Sequence, residues 1–275
     1  MVRKSILLDL LNRRDWAQLQ PLVDRFQSWP FYPLFVHAVE HLNLDVLYES
    51  NIHGLGHIER TLCHGGMSAM DEHLSEADTS LLLDACSYHD IGRSRDSLDF
   101  EHGSVAARFI GLVTGRTGED LLILKAAVEA HSRKEKEMQS VLDKYHPSDM
   151  ARAKNIAQLL KDADGLDRVR ICDLDENFLR RESSVHREPF AHQLYIRYQT
   201  VVGLRRWCPI SCRKCSNIAI GKRSGCDPIQ HQLSLGGNHH ETVYQIPAGD
   251  GRLLRQPLRF RLRAGASELP PEPDG

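Results

Sequence analysis

Apolar residues recur at three- and four-residue spacing along most of the first two hundred positions, which predicts helices rather than strands. Ile6, Leu7, Leu10 and Leu11 form one such set, and Leu19, Leu22, Val23 and Phe26 form a second. Pro30 and Pro33 predict a break before a third stretch from Leu34 to Leu42. Further helices are expected around His57, over Leu81 to His89, His102 to Val113, Leu121 to His131, Ala151 to Asp167, and Glu188 to Val202. The pattern therefore reads as all-α, a helical bundle.

The periodicity stops near Gly203. Pro209, Pro228, Pro247, Pro257, Pro270, Pro271 and Pro273 interrupt the remainder of the chain, and glycines are frequent there. The chain is accordingly divided into a helical domain over 1–202 and an irregular Cys/Pro/Gly-rich tail over 203–275 that is expected to be poorly ordered. Cys208, Cys212, Cys215 and Cys226 fall in that tail, where a small zinc knot is the functional alternative. Cys63, Cys86 and Cys172 lie in helical segments and read as small buried hydrophobes.

Composition adds little beyond ordinary globularity. The 275 residues are 41 % hydrophobic and 26 % charged, enough for a substantial core. A net charge of −2 argues against a broad electrostatic footprint for nucleic acid or an anionic membrane. Met1 to Asp9 starts basic and turns apolar, but Asp9, Asn12, Arg13 and Arg14 interrupt it too early for a signal segment. A cytoplasmic enzyme without membrane association is expected.

The candidate chemistry lies in the order of histidines and aspartates. His57 comes first, His89 and Asp90 are adjacent, His102 and His131 come next, and Asp164 closes the series. Imidazole nitrogen and carboxylate oxygen are the ligands that iron, manganese, cobalt, nickel and zinc accept most readily. One ion that keeps an open position needs about three or four protein ligands, so six candidates suffice for two ions, with Asp90 as bridge. Adjacent residues diverge by about 100° on a helix, so His89 and Asp90 can both ligate only at a helix end or bend, for which Gly92 is the signal. His102 shares a face with Val105, Ala106, Phe109, Ile110 and Val113, His131 with Leu124, Ala127 and Val128, and Asp164 with Ile156, Ala157 and Leu160. Each of the three should therefore point inward.

A buried carboxylate needs a cation or several donors. For Asp164 the bland partner is Arg168, four residues on. Asp162 falls off the apolar stripe, whereas Asp167 lies near it, placed to orient Arg170 or Arg93. Either His53 or His57 fits as the first ligand, since the two are one helical turn apart.

Together, His57-Ile58-Glu59-Arg60-Thr61, His89-Asp90-Ile91-Gly92-Arg93 and Asp162-Ala163-Asp164-Gly165-Leu166-Asp167-Arg168 resemble the HD-domain superfamily of metal-dependent phosphohydrolases. The resemblance runs from about position 51 to about 181. It implies His57, His89, Asp90 and Asp164 as the shared metal ligands. His102 and His131 resemble the two extra histidines of binuclear members. No Gly-Tyr-Pro motif occurs, and the His-His-Glu at His239-His240-Glu241 falls after Asp164, so the cyclic-dinucleotide reading does not carry over.

These residues lead to an expected mechanism. A metal-bound water ionises near neutrality and serves as nucleophile, and two ions polarise the phosphoryl group and its leaving oxygen. Asp90 would bridge the ions and accept the water's proton, and Arg93 is the first choice for gripping a phosphate oxygen. Arg60, Arg133, Lys134 and Lys161 are further cationic candidates for the substrate. The expected substrate is a small phosphate ester or nucleotide. Two other classes are carried beside this one: a di-iron oxygenase built on the same ligand order, and a non-catalytic module that senses a nucleotide.

Overall fold

The computed structural model describes residues 4–203. The tail from 204 onward, with the zinc-knot alternative at Cys208, Cys212, Cys215 and Cys226, lies outside the described residues. Among these the architecture is all helical, as the spacing predicts, with eleven α-helices linked by short turns and 3-10 segments.

Three short helices come first: α1 (Ile6–Leu11), α2 (Gln20–Gln27) and α3 (Tyr32–Glu40). Pro33 does not break the third of these but stands in its opening turn. That position has no intrahelical N–H bond to lose, and the ring presets φ. Phe26 stacks among Trp29, Tyr32 and Phe35 to close this end of the core.

The next helix, α4 (Leu55–Asp71), runs through the middle, and every residue from His57 to Met70 is buried. A helix covered on all sides cannot show a clean apolar stripe, so its polar residues need partners from other elements. Around it lie α5 (Glu76–Tyr88), α6 (His102–Thr114), α7 (Gly118–His131), α8 (Met138–Tyr145) and α9 (Met150–Leu166). Helix α9 packs against α4, α5 and α7 at once. Two more helices, α10 (Glu182–Val185) and α11 (Glu188–Val201), finish the described chain.

Two caps fix starts that apolar spacing leaves open. The Ser75 side chain accepts from the Asp78 amide at the head of α5, and Asp149 accepts from the Arg152 amide at the head of α9. Helix α8 has no counterpart in the expected set. It runs only eight residues, with three of them buried, and is too short for periodicity to identify.

Two glycines record where backbones touch. A Cβ on Gly92 would lie 2.1 Å from the His102 carbonyl oxygen and 2.6 Å from the Ala106 nitrogen. A Cβ on Gly103 would lie 2.7 Å from the Val128 carbonyl oxygen. Gly92 thus lets the start of α6 cross directly over the turn after α5, which is a stronger demand than the bend expected of it. Cys63 and Cys86 are buried free thiols, whereas Cys172 departs from the buried-hydrophobe expectation: it is only partly buried and is disulfide-bonded.

Candidate metal centre

Helix ends bring the candidate ligands together. His57 lies in the first turn of α4, His102 opens α6, His131 closes α7, and Asp164 is in the last turn of α9. Helix α5 ends at Tyr88, so His89 is its C-cap and Asp90 lies just beyond, where the chain leaves the helix. That end lets two adjacent side chains face one point.

Asp90 is the centre of the arrangement. Its Oδ2 lies 3.6 Å from His57 Nε2 and 3.8 Å from His89 Nε2. Its Oδ1 lies 3.1 Å from His102 Nε2 and 3.6 Å from His131 Nε2. Within each imidazole pair the Nε2 atoms are close, 3.1 Å for His57 and His89 and 2.9 Å for His102 and His131. Asp164 Oδ1 joins the first pair, 3.4 Å from His57 Nε2. One carboxylate thus turns one oxygen to each of two histidine pairs.

The far sides of the rings fix their tautomers. His89 Nδ1 lies 3.0 Å from the Cys86 carbonyl oxygen, His102 Nδ1 2.5 Å from that of Asp99, and His131 Nδ1 2.5 Å from that of Val128. A carbonyl only accepts, so in all three rings Nδ1 carries the hydrogen and Nε2 keeps the lone pair. His57 differs, since its Nδ1 bonds the carboxylate of Asp167 at 2.7 Å.

This chemistry fits a divalent cation. Lone pairs at Nε2 that converge in pairs on a carboxylate repel one another unless a positive charge stands between them. Asp90 Oδ1 is buried and has no hydrogen-bond partner despite the two Nε2 atoms beside it, a costly state for an anion. Ring nitrogens braced by carbonyls or a carboxylate are the usual outer support of metal-bound histidine. The groups that could hold an ion are His57, His89 and Asp164, then His89, Asp90 and His131, and also His53, His57 and Asp90.

Electrostatics agree with that chemistry. Burial, aided by Arg170, pushes the His57 ring down to about 3 against the pull of Asp167, and burial pushes His131 down to about 4. Both stay neutral at ordinary pH, as ligands must. Burial alone would raise the Asp90 carboxyl, but His89 and then His102, His131 and His53 outweigh it and hold it well below its usual value. For Asp164, His57 and Arg170 outweigh burial in the same way.

Several expected partners turn out differently. Asp167 is fully buried and has one of its two expected arginines beside it, Arg170, with Nη1 3.6 Å from Oδ2, and not Arg93. It receives Arg60 through two bonds, Nε to Oδ1 at 2.5 Å and Nη2 to Oδ2 at 2.9 Å, in addition to His57. Arg60 is therefore committed inside the fold, between the rings of Tyr195 and Tyr198 at 5.2 and 5.1 Å. Lys161 donates to the carbonyl oxygens of Ala130 and Arg133 at 3.1 and 2.7 Å, beside His131. Arg133 is paired with Glu101 at 2.8 Å, while Lys134 is exposed just past α7. Arg93 donates from Nε to Asp90 Oδ2 at 2.9 Å.

Arg168 pairs with Asp173, not with Asp164. Asp162, expected off the buried stripe, is fully buried and accepts from the backbone amides of Arg180 and Arg181 at 3.0 and 2.9 Å. His53 Nδ1 lies 3.3 Å from Asp90 Oδ2, so the turn before α4 supplies a second imidazole to the same carboxylate. Arg170, six residues after Asp164, is 8 % exposed and stands beside it. Spacing pairs Arg170 with Asp167, three residues before it, but not with Asp164, because α9 ends between the two.

Comparison with family models matches residues 54–169 to the HD domain. No curated protein and no solved structure matches the chain. Among the described residues no helix is long and apolar enough to cross a membrane.

Proposed function

We propose, from the premise that residues 54–169 make this an HD-domain protein and so one of a family of commonly metal-dependent hydrolases, that it is a two-metal phosphohydrolase acting on a small phosphate ester or nucleotide. The observation that carries this reading is the split Asp90 carboxylate, with Oδ2 toward His57 and His89 and Oδ1 toward His102 and His131. His57, His89, Asp90 and Asp164 would hold one ion, and Asp90, His102 and His131 the other. Divalent ions in such positions make bound water nucleophilic near neutral pH and stabilise charge on a phosphoryl group.

The chain's own residues prepare that chemistry. Four braced rings fix the ligand directions, so little reorganisation accompanies binding. Asp90, held ionised between the two histidine pairs, would serve both positions and would be the group to take the proton of the attacking water. Arg93 orients Asp90 through Nε and offers its remaining N–H groups to a phosphate oxygen. Of the other cations expected to bind substrate, Arg60 and Lys161 act instead as supports, for Asp167 and for the end of α7.

The test is metal analysis of the purified full-length protein, then phosphate release from phosphomonoesters, phosphodiesters and nucleotides. Asp90→Ala should abolish metal uptake and turnover and leave the helical circular dichroism unchanged. Wild-type turnover in that variant refutes the reading. Iron-dependent oxygen consumption without phosphate release would replace it with the oxygenase alternative.

A further inference from the structure

Three carboxylates stand in the ligand cluster and its support, Asp90, Asp164 and Asp167, and three guanidinium groups stand against them. Arg93 lies 2.9 Å from Asp90, Arg60 2.5 Å from Asp167, and Arg170 3.9 Å from Asp164 and 3.6 Å from Asp167. With the four imidazoles as neutral ligands, these groups sum to no net charge. Every divalent ion that enters therefore adds two positive charges that the protein does not cancel, among buried groups where such charge is poorly screened.

Arg170 differs from the other two arginines. Arg60 is saturated by Asp167, and Arg93 bonds Asp90, but Arg170 Nε and Nη1 are buried and have no hydrogen-bond partner. Its Nη2 finds His53 Nδ1 at 3.2 Å. Asp167 Oδ2 stands 3.6 Å from Nη1, beyond hydrogen-bond distance, and already accepts from Arg60 and His57. A buried guanidinium short of acceptors is costly, and a phosphate, with its ring of oxygens, is the group that its planar fork fits. Its position suits that task. Asp164 is the ligand nearest to solvent, its side chain 24 % exposed while that of Asp90 is 3 % exposed, and Arg170 stands next to it.

We infer that Arg170 is the phosphate anchor of this site, and that the uncancelled metal charge makes the site select dianionic phosphomonoesters over monoanionic diesters. This rests on the phosphohydrolase reading above and names its substrate class. A phosphomonoester dianion cancels the charge of one divalent ion and brings three terminal oxygens. A diester brings one negative charge and two free oxygens, and leaves the site with charge unmet.

The test uses full-length protein carrying the metal with which it purifies. Binding of inorganic phosphate is measured by calorimetry for wild type and Arg170→Gln, with metal content measured on the same samples. Turnover of p-nitrophenyl phosphate and bis(p-nitrophenyl) phosphate is then compared for wild type. Expected are a loss of phosphate affinity of tenfold or more in the variant at unchanged metal content, and a kcat/KM at least tenfold higher for the monoester. Should Arg170→Gln not fold, Arg170→Lys, which keeps the charge but loses the planar fork, is read by the same tenfold criterion.

Unchanged phosphate affinity, or a diester cleaved as readily as the monoester, overturns the inference. The second result would leave the phosphohydrolase reading intact. Arg170-dependent phosphate binding with neither ester cleaved would do the reverse, keeping the anchor and removing the hydrolase.

Discussion

Replacing Asp167 with asparagine separates two roles that the structure joins in one carboxylate. Asp167 balances Arg60, a guanidinium only 1 % exposed, through bonds of 2.5 and 2.9 Å, and it braces His57 Nδ1 at 2.7 Å. At an effective dielectric of about 20 and a charge separation of about 4 Å, the Arg60 pair alone is worth about 4 kcal/mol of Coulomb energy. Leaving one member of such a pair buried and alone costs about 3–5 kcal/mol. Loss of a carboxylate behind a metal-bound histidine typically weakens metal affinity about 10–100-fold. Asp167→Asn should therefore lose stability in urea unfolding of the metal-free protein by about that 3–5 kcal/mol, and should bind metal more weakly in a chelator competition.

A second substitution tells the two effects apart. In Asp167→Asn combined with Arg60→Met the stranded Arg60 charge is gone, Arg170 keeps Asp164, and a flexible apolar chain fills the space between Tyr195 and Tyr198. Buried ion pairs replaced in this way are commonly neutral in stability, so most of the unfolding free energy should return while metal affinity stays low. If both recover together, the carboxylate does not brace His57. If neither recovers, the loss comes from packing rather than from an unpaired charge.

Two further outcomes are expected. His64 is fully buried with neither ring nitrogen bonded, and burial pushes its pKa down to about 3. The unfolded state takes up a proton below about pH 6.5 that the folded state refuses, so stability is full above that pH and falls by up to about 1.4 kcal/mol per pH unit below it. In metal-free unfolding curves at pH 7, 6, 5 and 4, His64→Leu should flatten part of this decline, and an unaltered slope would contradict the assignment. Gly92→Ala sets a methyl against the His102 carbonyl oxygen, 2.1 Å away before relaxation. It should cost about 1–3 kcal/mol by overpacking and reduce the metal bound per chain, whereas wild-type values in both measurements would mean that α6 can shift freely.

The helical class and the residues that gather around Asp90 were legible in the sequence, and of their partners few were, Arg170 beside Asp167 among them. His102, His131 and Asp164 each lie on an apolar stripe, and such stripes mark the inner face whatever the neighbours are. The adjacent His89 and Asp90 imply a helix end, and the end is there. Helix α4 gives no such guidance, because burial on every side leaves no stripe, so the pairing of Arg60 with Asp167 and the burial of His64 could not be read. Asp162 misled for a related reason: an off-stripe carboxylate is normally solvated, but here the chain returns at Arg180 and Arg181 and covers it with two amides. Arg170 lies past the end of α9, where a 3-10 turn resets the direction of its side chain.

The end of α9 and the residue that caps it carry out several tasks within seven residues: Lys161 closes the end of α7, Asp162 holds the returning chain, Asp164 faces the histidine cluster, and the cap Asp167 braces His57. Each depends on the angle at which its side chain leaves the helix. Inserting or deleting one residue would turn everything beyond it by about 100° and move it about 1.5 Å along the axis. This stretch can therefore tolerate exchange of individual side chains far better than any change in its count of residues.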